Sequence, residues 1–172
     1  MAPPIEIDVW QGEIGELEVD AIVIPANESL FMTAGPGTAV RRRAGEELER
    51  AAVAQGPVAV GGAIVTAGGR LAASYVIHAV AVGHALKADV EALRSAIRAA
   101  IAFAEPLQLR RMAIAVLGTE RGAFTPEQAA PILVEELNRR PADLPESVVI
   151  ATANPAETRA VAVALDQARV AR

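Results

Sequence analysis

The sequence predicts an α/β protein in which helices pack on both faces of a mixed, mainly parallel sheet. Short apolar runs of the kind that form buried strands alternate with segments of helical periodicity along the chain. Strands that are separated by helices need crossover connections, and crossovers favour parallel pairing. The chain has 172 residues, about one domain's worth, without a linker, an internal repeat or a low-complexity segment. We therefore expect residues 1–172 to form a single three-layer α/β/α domain.

Composition narrows the possible chemistry. Hydrophobic residues make up 52% of the chain and aromatic residues only 3%, so small aliphatic side chains should fill the core. The absence of cysteine excludes disulfides, thiolate nucleophiles and thiolate metal sites. Two histidines without cysteine give no metal-site pattern, and we expect no metal and no cofactor. The net charge of −5 argues against general nucleic-acid binding.

The first half of the chain predicts two strands and a long helix. Residues Ile5 to Trp10 alternate apolar and polar side chains, which indicates a strand near a sheet edge, and Gly12 to Gly15 form a turn. The run Val19 to Ile24 is continuously apolar and should be a central strand. A helix is predicted from about Pro36 to Ala54, with Arg41, Arg42 and Arg43 on a solvated face and paired to Glu46, Glu47 and Glu49.

The second half continues the alternation. Strands are predicted at Ala63 to Thr66, Tyr75 to Val82, Met112 to Leu117 and Ser147 to Thr152. An amphipathic helix should run from about Ala88 to Glu105 and be stopped by Pro106. Thr125-Pro126-Glu127-Gln128 is a capping box that should begin another helix, and Asn154-Pro155-Ala156-Glu157 should begin the last. His78 lies within a buried strand, where a hydrogen-bonded core role is expected.

The loop after the central strand has the composition of an anion site. Gly35 and Gly37 flank Pro36, which suits the first position of a helix. Glycines let the backbone approach a ligand closely, and a helix start offers free N–H groups and the positive end of its dipole. The carboxyl ends of parallel strands are also where open α/β sheets bind ligands.

Several motifs resemble those of the macro domain, the ADP-ribose-binding fold. Asp20-Ala21-Ile22-Val23 and Ala26-Asn27 are similar to the family's Asp-Ala-Ile-Val-Asn-Ala-Ala-Asn, and Gly35, Ala39 and Ala44-Gly45 match the following loop and helix. Other similarities are Gly12-Glu13-Ile14, Tyr75-Val76-Ile77-His78 and Leu117-Gly118-Thr119. These matches follow the family's order from about Ile5 to Leu165. Ile24 and Pro25 depart from the pattern.

The resemblance implies roles for individual residues. In such a domain, Glu13 would accept a hydrogen bond from the adenine amino group, with the backbone N–H of Ile14 reaching the ring. Asn27 would touch the distal ribose. Alternatively, its side chain would stabilise its own loop by hydrogen bonds, and the two roles are compatible. Two glycine-rich loops would cradle the pyrophosphate; they comprise Ala34, Gly35, Pro36, Gly37 and Thr38 in the first, and Gly118, Thr119, Glu120, Arg121, Gly122, Ala123 and Phe124 in the second.

Some of these assignments leave alternatives open. Arg121 could pair with a phosphate, whereas Glu120 would repel one unless its side chain points to solvent. Phe124 could wall the ribose or belong to the core. Asn154 lies where the family often places a residue beside adenine, and capping the last helix is an equal alternative.

Three functions agree with the sequence. The first is binding of ADP-ribose, free or attached to protein; the second is slow hydrolysis of ADP-ribosyl esters or O-acetyl-ADP-ribose; the third is a drifted fold that binds another nucleotide or none. One hydrolytic branch of the family carries an acid where this chain has Gly37, so substrate-assisted chemistry with Asn27 is the expected route, and Glu120 is a candidate base. The N-terminal segment lacks a signal-peptide pattern, the apolar runs are too short to span a membrane, and the Arg- and Ala-rich composition hints at a bacterial source. We expect a cytoplasmic protein whose partner is ADP-ribose or an ADP-ribosylated protein.

Overall fold

The structure is a computed structural model that describes residues 2–171, and within them a six-stranded sheet carries helices on both faces. The two terminal residues of the predicted domain lie outside this range. The strands are β1 Glu6–Gln11, β2 Ala21–Pro25, β3 Ala63–Ala67, β4 Tyr75–Ala79, β5 Arg111–Ala115 and β6 Ser147–Thr152. The helices are α1 Gly35–Ala44, α2 Glu46–Gln55, α3 Val90–Ile101, α4 Ala104–Leu107, α5 Pro126–Asn138 and α6 Pro155–Val170. Short 3-10 turns occupy Ile14–Glu16 and Glu120–Gly122.

The sheet is mixed and mainly parallel, as the sequence predicts. Its order is β1-β6-β5-β2-β4-β3, and only the β3–β4 pair is antiparallel among the strands described. Among residues 2–171, strand β1 pairs only with β6 and lies at an edge, which confirms the expectation from its alternating sequence. Strands β2, β5 and β4 are interior, in agreement with their continuous apolar runs.

Successive residues of the interior strands point into opposite layers. On β2, Ala21 and Val23 belong to the core beneath α3, α5 and α6, whereas Ile22 and Ile24 belong to the core beneath α1. Strand β6 divides in the same way, since Ile150 joins the first core and Val149 the second. This period of two makes the sheet the middle layer of a three-layer domain.

The predicted long first helix is in fact two helices. Gly45 ends α1 and caps α2 with φ +106°, a backbone conformation that no α-helix contains. A side chain at Gly45 would also meet Arg70, whose Nη2 lies 3.2 Å from the Cβ position. The expectation of one helix from Pro36 to Ala54 is therefore wrong at Gly45. Hydrophobic spacing does not detect such a break, because it continues across it.

The predicted helix from Ala88 to Glu105 is also shorter. Asp89 caps α3 by accepting the N–H of Ala92 at 3.2 Å, and α3 ends at Ile101. Pro106 does not stop it: this residue is the third of α4, where the N–H that proline lacks has no intrahelical partner in any case. The capping box of α5 is confirmed by Thr125 and Gln128, which bond reciprocally at 3.2 and 3.0 Å.

Helices α3 and α5 are joined by a charged cluster. Glu136 on α5 is 3% exposed and accepts hydrogen bonds from Arg94 at 2.9 Å and from Arg98 at 2.9 and 3.0 Å. Burial by itself would raise the pKa of Glu136, but these hydrogen bonds hold that pKa below its ordinary value. Across residues 2–171, no helix has both the length and the apolar character to cross a membrane.

Candidate functional site

A cleft of about 580 Å³ opens where the parallel strands end. Pro25, Ala115 and Thr152, the last residues of β2, β5 and β6, lie in its wall. The volume is within the range of small-molecule sites. The predicted position of the site, at the carboxyl ends of the strands, therefore coincides with a real cavity.

One wall is the turn after β1. Both Glu13 and Ile14 line the cleft; Ile14 is buried, and the Glu13 side chain is 55% exposed. Arg43 of α1 lies beside the turn, with Nη2 at 3.6 Å from Glu13 Oε2 and 3.4 Å from Glu16 Oε1. The predicted pairing of the arginine run with the acids of the next helix is thus only partly right. Arg41 pairs with Glu49 at 3.3 Å, but Arg43 faces the cleft.

Asn27 follows β2 and lines the cleft. Its Oδ1 accepts the N–H groups of Ser29 at 3.0 Å and Leu30 at 2.9 Å, so the side chain braces its own loop. These bonds use only the oxygen and leave the Nδ2 donor for a ligand. Bracing and ribose contact are compatible roles here, and the ribose contact stays a prediction.

The start of α1 forms a second wall. Ala34, Gly35, Pro36 and Gly37 all line the cleft, and no side chain in the described part of the chain caps the helix. Gly35 has φ +58° and open space around its Cβ position. The first N–H groups of the helix consequently remain available for an anion.

The loop after β5 supplies the third wall through Thr119, Glu120 and Arg121. Glu120 does not point to solvent. Its Oε2 accepts the N–H of Gly118 at 2.9 Å, and its Oε1 is buried with no hydrogen-bond partner among residues 2–171. Burial, and to a smaller degree the charge of Glu157, raise the pKa of Glu120 to about 7, although backbone N–H groups oppose the shift. The alternative in which the Glu120 side chain points to solvent is therefore wrong.

Several predicted site residues lie behind or beside the wall rather than in it. Phe124 is buried in the core and packs against Gly118, which settles its open alternative in favour of the core. Asn154 caps α6 by accepting the N–H of Glu157 at 2.9 Å and is not part of the lining. The other predicted residues outside the lining are Thr38, Gly118, Gly122 and Ala123.

The cleft also contains residues that sequence reasoning missed. Phe31, 52% exposed, and Leu86, 40% exposed, place apolar surface in the lining. His84 lies in it as well, with Nε2 at 2.9 Å from Ser29 Oγ and its backbone N–H donating to Glu28 at 2.6 Å. Glu157 joins the wall from the first turn of α6, where its carboxylate accepts the N–H of Ala153 at 2.9 Å. These residues come from separate loops and carry no common sequence signal.

His78 is confirmed as a hydrogen-bonded residue of the sheet interior. It is fully buried, and its Nε2 lies 2.9 Å from Thr66 Oγ1. Burial lowers the pKa of His78 to about 4, so the ring is neutral near pH 7. Within residues 2–171, no cluster of three or more His, Asp or Glu side chains could hold a metal ion.

The charges of the lining nearly cancel. Arg43 and Arg121 are its guanidinium groups, and Glu13, Glu120 and Glu157 are its carboxylates. Backbone N–H groups and the helix dipole, rather than side-chain charge, are therefore the main attraction for an anion. These features define an α/β domain with a nucleotide-sized, anion-accepting cleft at the carboxyl edge of its sheet.

The chain belongs to the macro domain family. A sequence model of that family, described as Macro domain, matches residues 23–133. The chain is 36% identical over 147 residues to an uncharacterized protein of Aquifex aeolicus, covering 85% of this chain and 89% of the relative. It is 36% identical over 146 residues to a macro domain-containing protein of Cupriavidus necator, covering 81% and 84%. An uncharacterized protein of Mycobacterium tuberculosis is 34% identical over 162 residues, 94% of this chain, but the chain spans only 45% of that relative's length.

Solved structures share the fold. The Trypanosoma brucei macrodomain in complex with ADP-ribose superposes with a TM-score of 0.84 at 23% identity, covering 93% of this chain and 69% of that one. The Oceanobacillus iheyensis macrodomain with ADP gives 0.84 at 20% identity, covering 95% and 92%. The predicted fold class is thereby confirmed.

Proposed function

We propose that this chain binds ADP-ribose, free or attached to a protein, in the cleft at the carboxyl edge of the sheet. The observation that carries the proposal is convergence: one cavity brings together Glu13, Asn27, the uncapped start of α1 and the loop after β5. Membership of the macro domain family supports it, as do the related folds that were crystallised with ADP and ADP-ribose.

Each part of the cleft has a chemical task in this proposal. The carboxylate of Glu13 accepts from the adenine amino group, and the backbone N–H of Ile14 reaches the ring. The N–H groups at the start of α1 receive the pyrophosphate, because a helix start attracts negative charge. Asn27 donates from Nδ2 to the distal ribose while its oxygen keeps the loop in place. Arg121 is exposed on the loop after β5 and lines the cleft, so its guanidinium group pairs with the same phosphates.

Titration calorimetry with ADP-ribose, ADP and AMP tests the proposal. We expect ADP-ribose to bind most tightly, because only it reaches both the pyrophosphate loops and Asn27. Equal affinity for AMP and ADP-ribose would show that the distal half of the cleft contributes nothing. Absence of binding by all three nucleotides would overturn the proposal.

Slow hydrolysis of ADP-ribosyl esters or O-acetyl-ADP-ribose is a second candidate, favoured by one observation. Glu120 is a cleft carboxyl whose pKa of about 7 suits a general base near neutral pH. In the alternative mechanism, Asn27 positions the ribose and a phosphate oxygen orients water, so that proximity supplies the acceleration.

An assay with glutamate-linked ADP-ribose separates these routes. Turnover lost in Asn27→Ala but kept in Glu120→Gln supports substrate assistance. Turnover lost in Glu120→Gln, with binding intact, makes Glu120 the base. If the unmodified protein shows no turnover above background, the hydrolase proposal fails and only the binding function is left.

The biological setting completes the proposal. A cytoplasmic location in a bacterium, with an ADP-ribosylated protein as partner, remains a prediction from the sequence. Cell fractionation tests the location, and capture of an ADP-ribosylated protein but not its unmodified form tests the partner.

A further inference from the structure

The carboxyl of Glu120 occupies an unusual position in the cleft. The side chain turns back into its own loop, where Oε2 accepts the N–H of Gly118 at 2.9 Å. Oε1 is buried and has no hydrogen-bond partner among the described residues. A backbone N–H at the start of this loop is therefore already bonded to an anion that belongs to the protein itself.

No cation offsets the charge of this carboxylate within the described part of the chain. The ion pairs found there include none to Glu120. Glu157, which faces it from α6, adds negative charge. Across the cleft, Arg43 is already paired to Glu13 and Glu16. Arg121, the next residue in the chain, is exposed and forms no ion pair with Glu120. A pyrophosphate that approached the loop would consequently meet an uncompensated negative charge.

We infer that Glu120 determines the pH dependence and strength of ligand binding: its ionised carboxylate repels a pyrophosphate at the cleft wall, and such a ligand binds when that carboxyl is protonated. This inference rests on the proposed binding function, and it excludes Glu120 as the base of the hydrolytic route, because a carboxyl that is protonated when the ligand is bound cannot accept a proton. Binding of ADP-ribose should then take up a proton, which comes from solvent and remains on the carboxyl of Glu120. The pyrophosphate diester keeps both negative charges near neutral pH, so the proton belongs to the protein.

The coupling between ADP-ribose affinity and pH has a definite sign and size. A group that must be protonated for binding lowers the affinity as pH rises through its pKa. For a carboxyl whose pKa is about 7, affinity should fall about tenfold from pH 6 to pH 8. At pH 8 the free protein has released this proton almost completely, so binding should take up about 0.9 of a proton.

Calorimetry with ADP-ribose at pH 6 and pH 8 tests the inference in three proteins. Glu120→Gln keeps the shape of the side chain but carries no charge, so it should bind about tenfold more tightly than the unmodified protein at pH 8 and equally at pH 6. Glu127→Gln is the matched control: it removes one exposed carboxylate from α5 outside the cleft and should keep the original pH dependence. Without this carboxyl, the affinity of Glu120→Gln should change little between pH 6 and pH 8.

A second measurement needs no variant. Titrations of the unmodified protein at pH 8, in two buffers with different ionisation enthalpies, report the protons taken up; an uptake near zero would overturn the inference. Two results with Glu120→Gln would overturn it too: binding at pH 8 that is weaker than that of the unmodified protein, or a full tenfold loss of affinity from pH 6 to pH 8. If neither the unmodified protein nor Glu120→Gln binds ADP-ribose at either pH, the proposed function itself fails. Binding without pH dependence removes only the role of Glu120.

Discussion

Arg43 holds two neighbouring carboxylates at the edge of the cleft. Its Nη2 lies 3.6 Å from Glu13 Oε2 and 3.4 Å from Glu16 Oε1. These groups are about half exposed, so the pairs contribute little to stability. Their effect is to restrict the orientation of Glu13, the only one of the two acids in the cleft lining.

Glu13→Gln should weaken the preference for ADP-ribose over its inosine analogue about tenfold. A carboxylate only accepts, so it favours the adenine amino group and repels the carbonyl of hypoxanthine; a glutamine amide can do either. Calorimetry with both nucleotides measures the preference. Glu16→Gln is the control, because it removes the other partner of Arg43 outside the cleft and should leave the preference unchanged. An unchanged preference in Glu13→Gln would return Glu13 to the role of a turn residue.

Among the elements, α1 has its start exposed to the cleft. Gly35→Glu should abolish ADP-ribose binding, because it adds bulk and negative charge where the first N–H groups of α1 face the ligand. The fold should survive, since a Cβ at Gly35 meets nothing within 4 Å. The positive φ of 58° should reduce stability by about 1–2 kcal/mol.

Gly35→Asn is the matched variant for this experiment. Asparagine tolerates positive φ better than other side chains and carries no charge, so binding should be largely retained. Circular dichroism confirms folding, and calorimetry measures affinity. Normal binding by a folded Gly35→Glu protein would show that α1 does not receive the phosphates.

Glu136 on α5 links this helix to α3 through hydrogen bonds from Arg94 and Arg98. Glu136→Gln should lower the free energy of unfolding by about 2–3 kcal/mol, because the amide keeps one acceptor oxygen but loses the charge and the second acceptor to which the two arginines donate. The pKa of Glu136 is lowered in the folded protein, so this stabilisation is complete above the ordinary glutamate pKa and is lost as pH falls through the lowered value. Urea unfolding measures the change. Glu135→Gln is the matched control, because Glu135 is 37% exposed and pairs with the same Arg94. This substitution should lower the free energy of unfolding by less than about 1 kcal/mol.

In the molecule as a whole, two buried groups make opposite contributions to stability as pH changes. The pKa of His78 falls from an ordinary value of 6.5 to about 4, so between these values the unfolded chain binds a proton that the folded one does not, and stability rises with pH. The pKa of Glu120 rises from 4.5 to about 7, so the folded chain keeps a proton that the unfolded one releases, and stability falls with pH. Between pH 4.5 and 6.5 the two contributions oppose each other.

Single variants should separate these contributions. From pH 5 to pH 6 we expect the free energy of unfolding of the original protein to change little. In Glu120→Gln it should rise by up to about 1.4 kcal/mol per pH unit, owing to His78 alone. In His78→Gln it should fall with pH, owing to Glu120. Urea unfolding at pH 5, 5.5 and 6 measures all three, and identical slopes in the three proteins would contradict the assignment.

The sequence by itself determined the elements that local chemistry specifies. Strand β6 has the predicted bounds, Ser147 to Thr152, because an apolar run between turn residues leaves few alternatives. The start of α5 was equally clear, since Thr125 and Gln128 satisfy each other's backbone partners within one turn. The sequence also predicted that Asn27, Gly35 and Gly118 converge at the carboxyl edge of the sheet, because each follows a strand. Asn27 and Gly35 line the cleft, whereas Gly118 lies outside its lining.

Tertiary structure alone decided what depends on distant neighbours. The break at Gly45 and the end of α3 before Pro106 are backbone conformations that a periodic apolar pattern does not report. Arg43 faces Glu13 rather than the acids that follow it in sequence, because α1 crosses the turn after β1. Glu120 appears in the sequence as a loop acid, yet its pKa depends on burial in the cleft wall and on Glu157 from another element. Desolvation and the charge of groups far apart along the chain act only once the chain is folded, and this is why the sequence could name Glu120 but not its state.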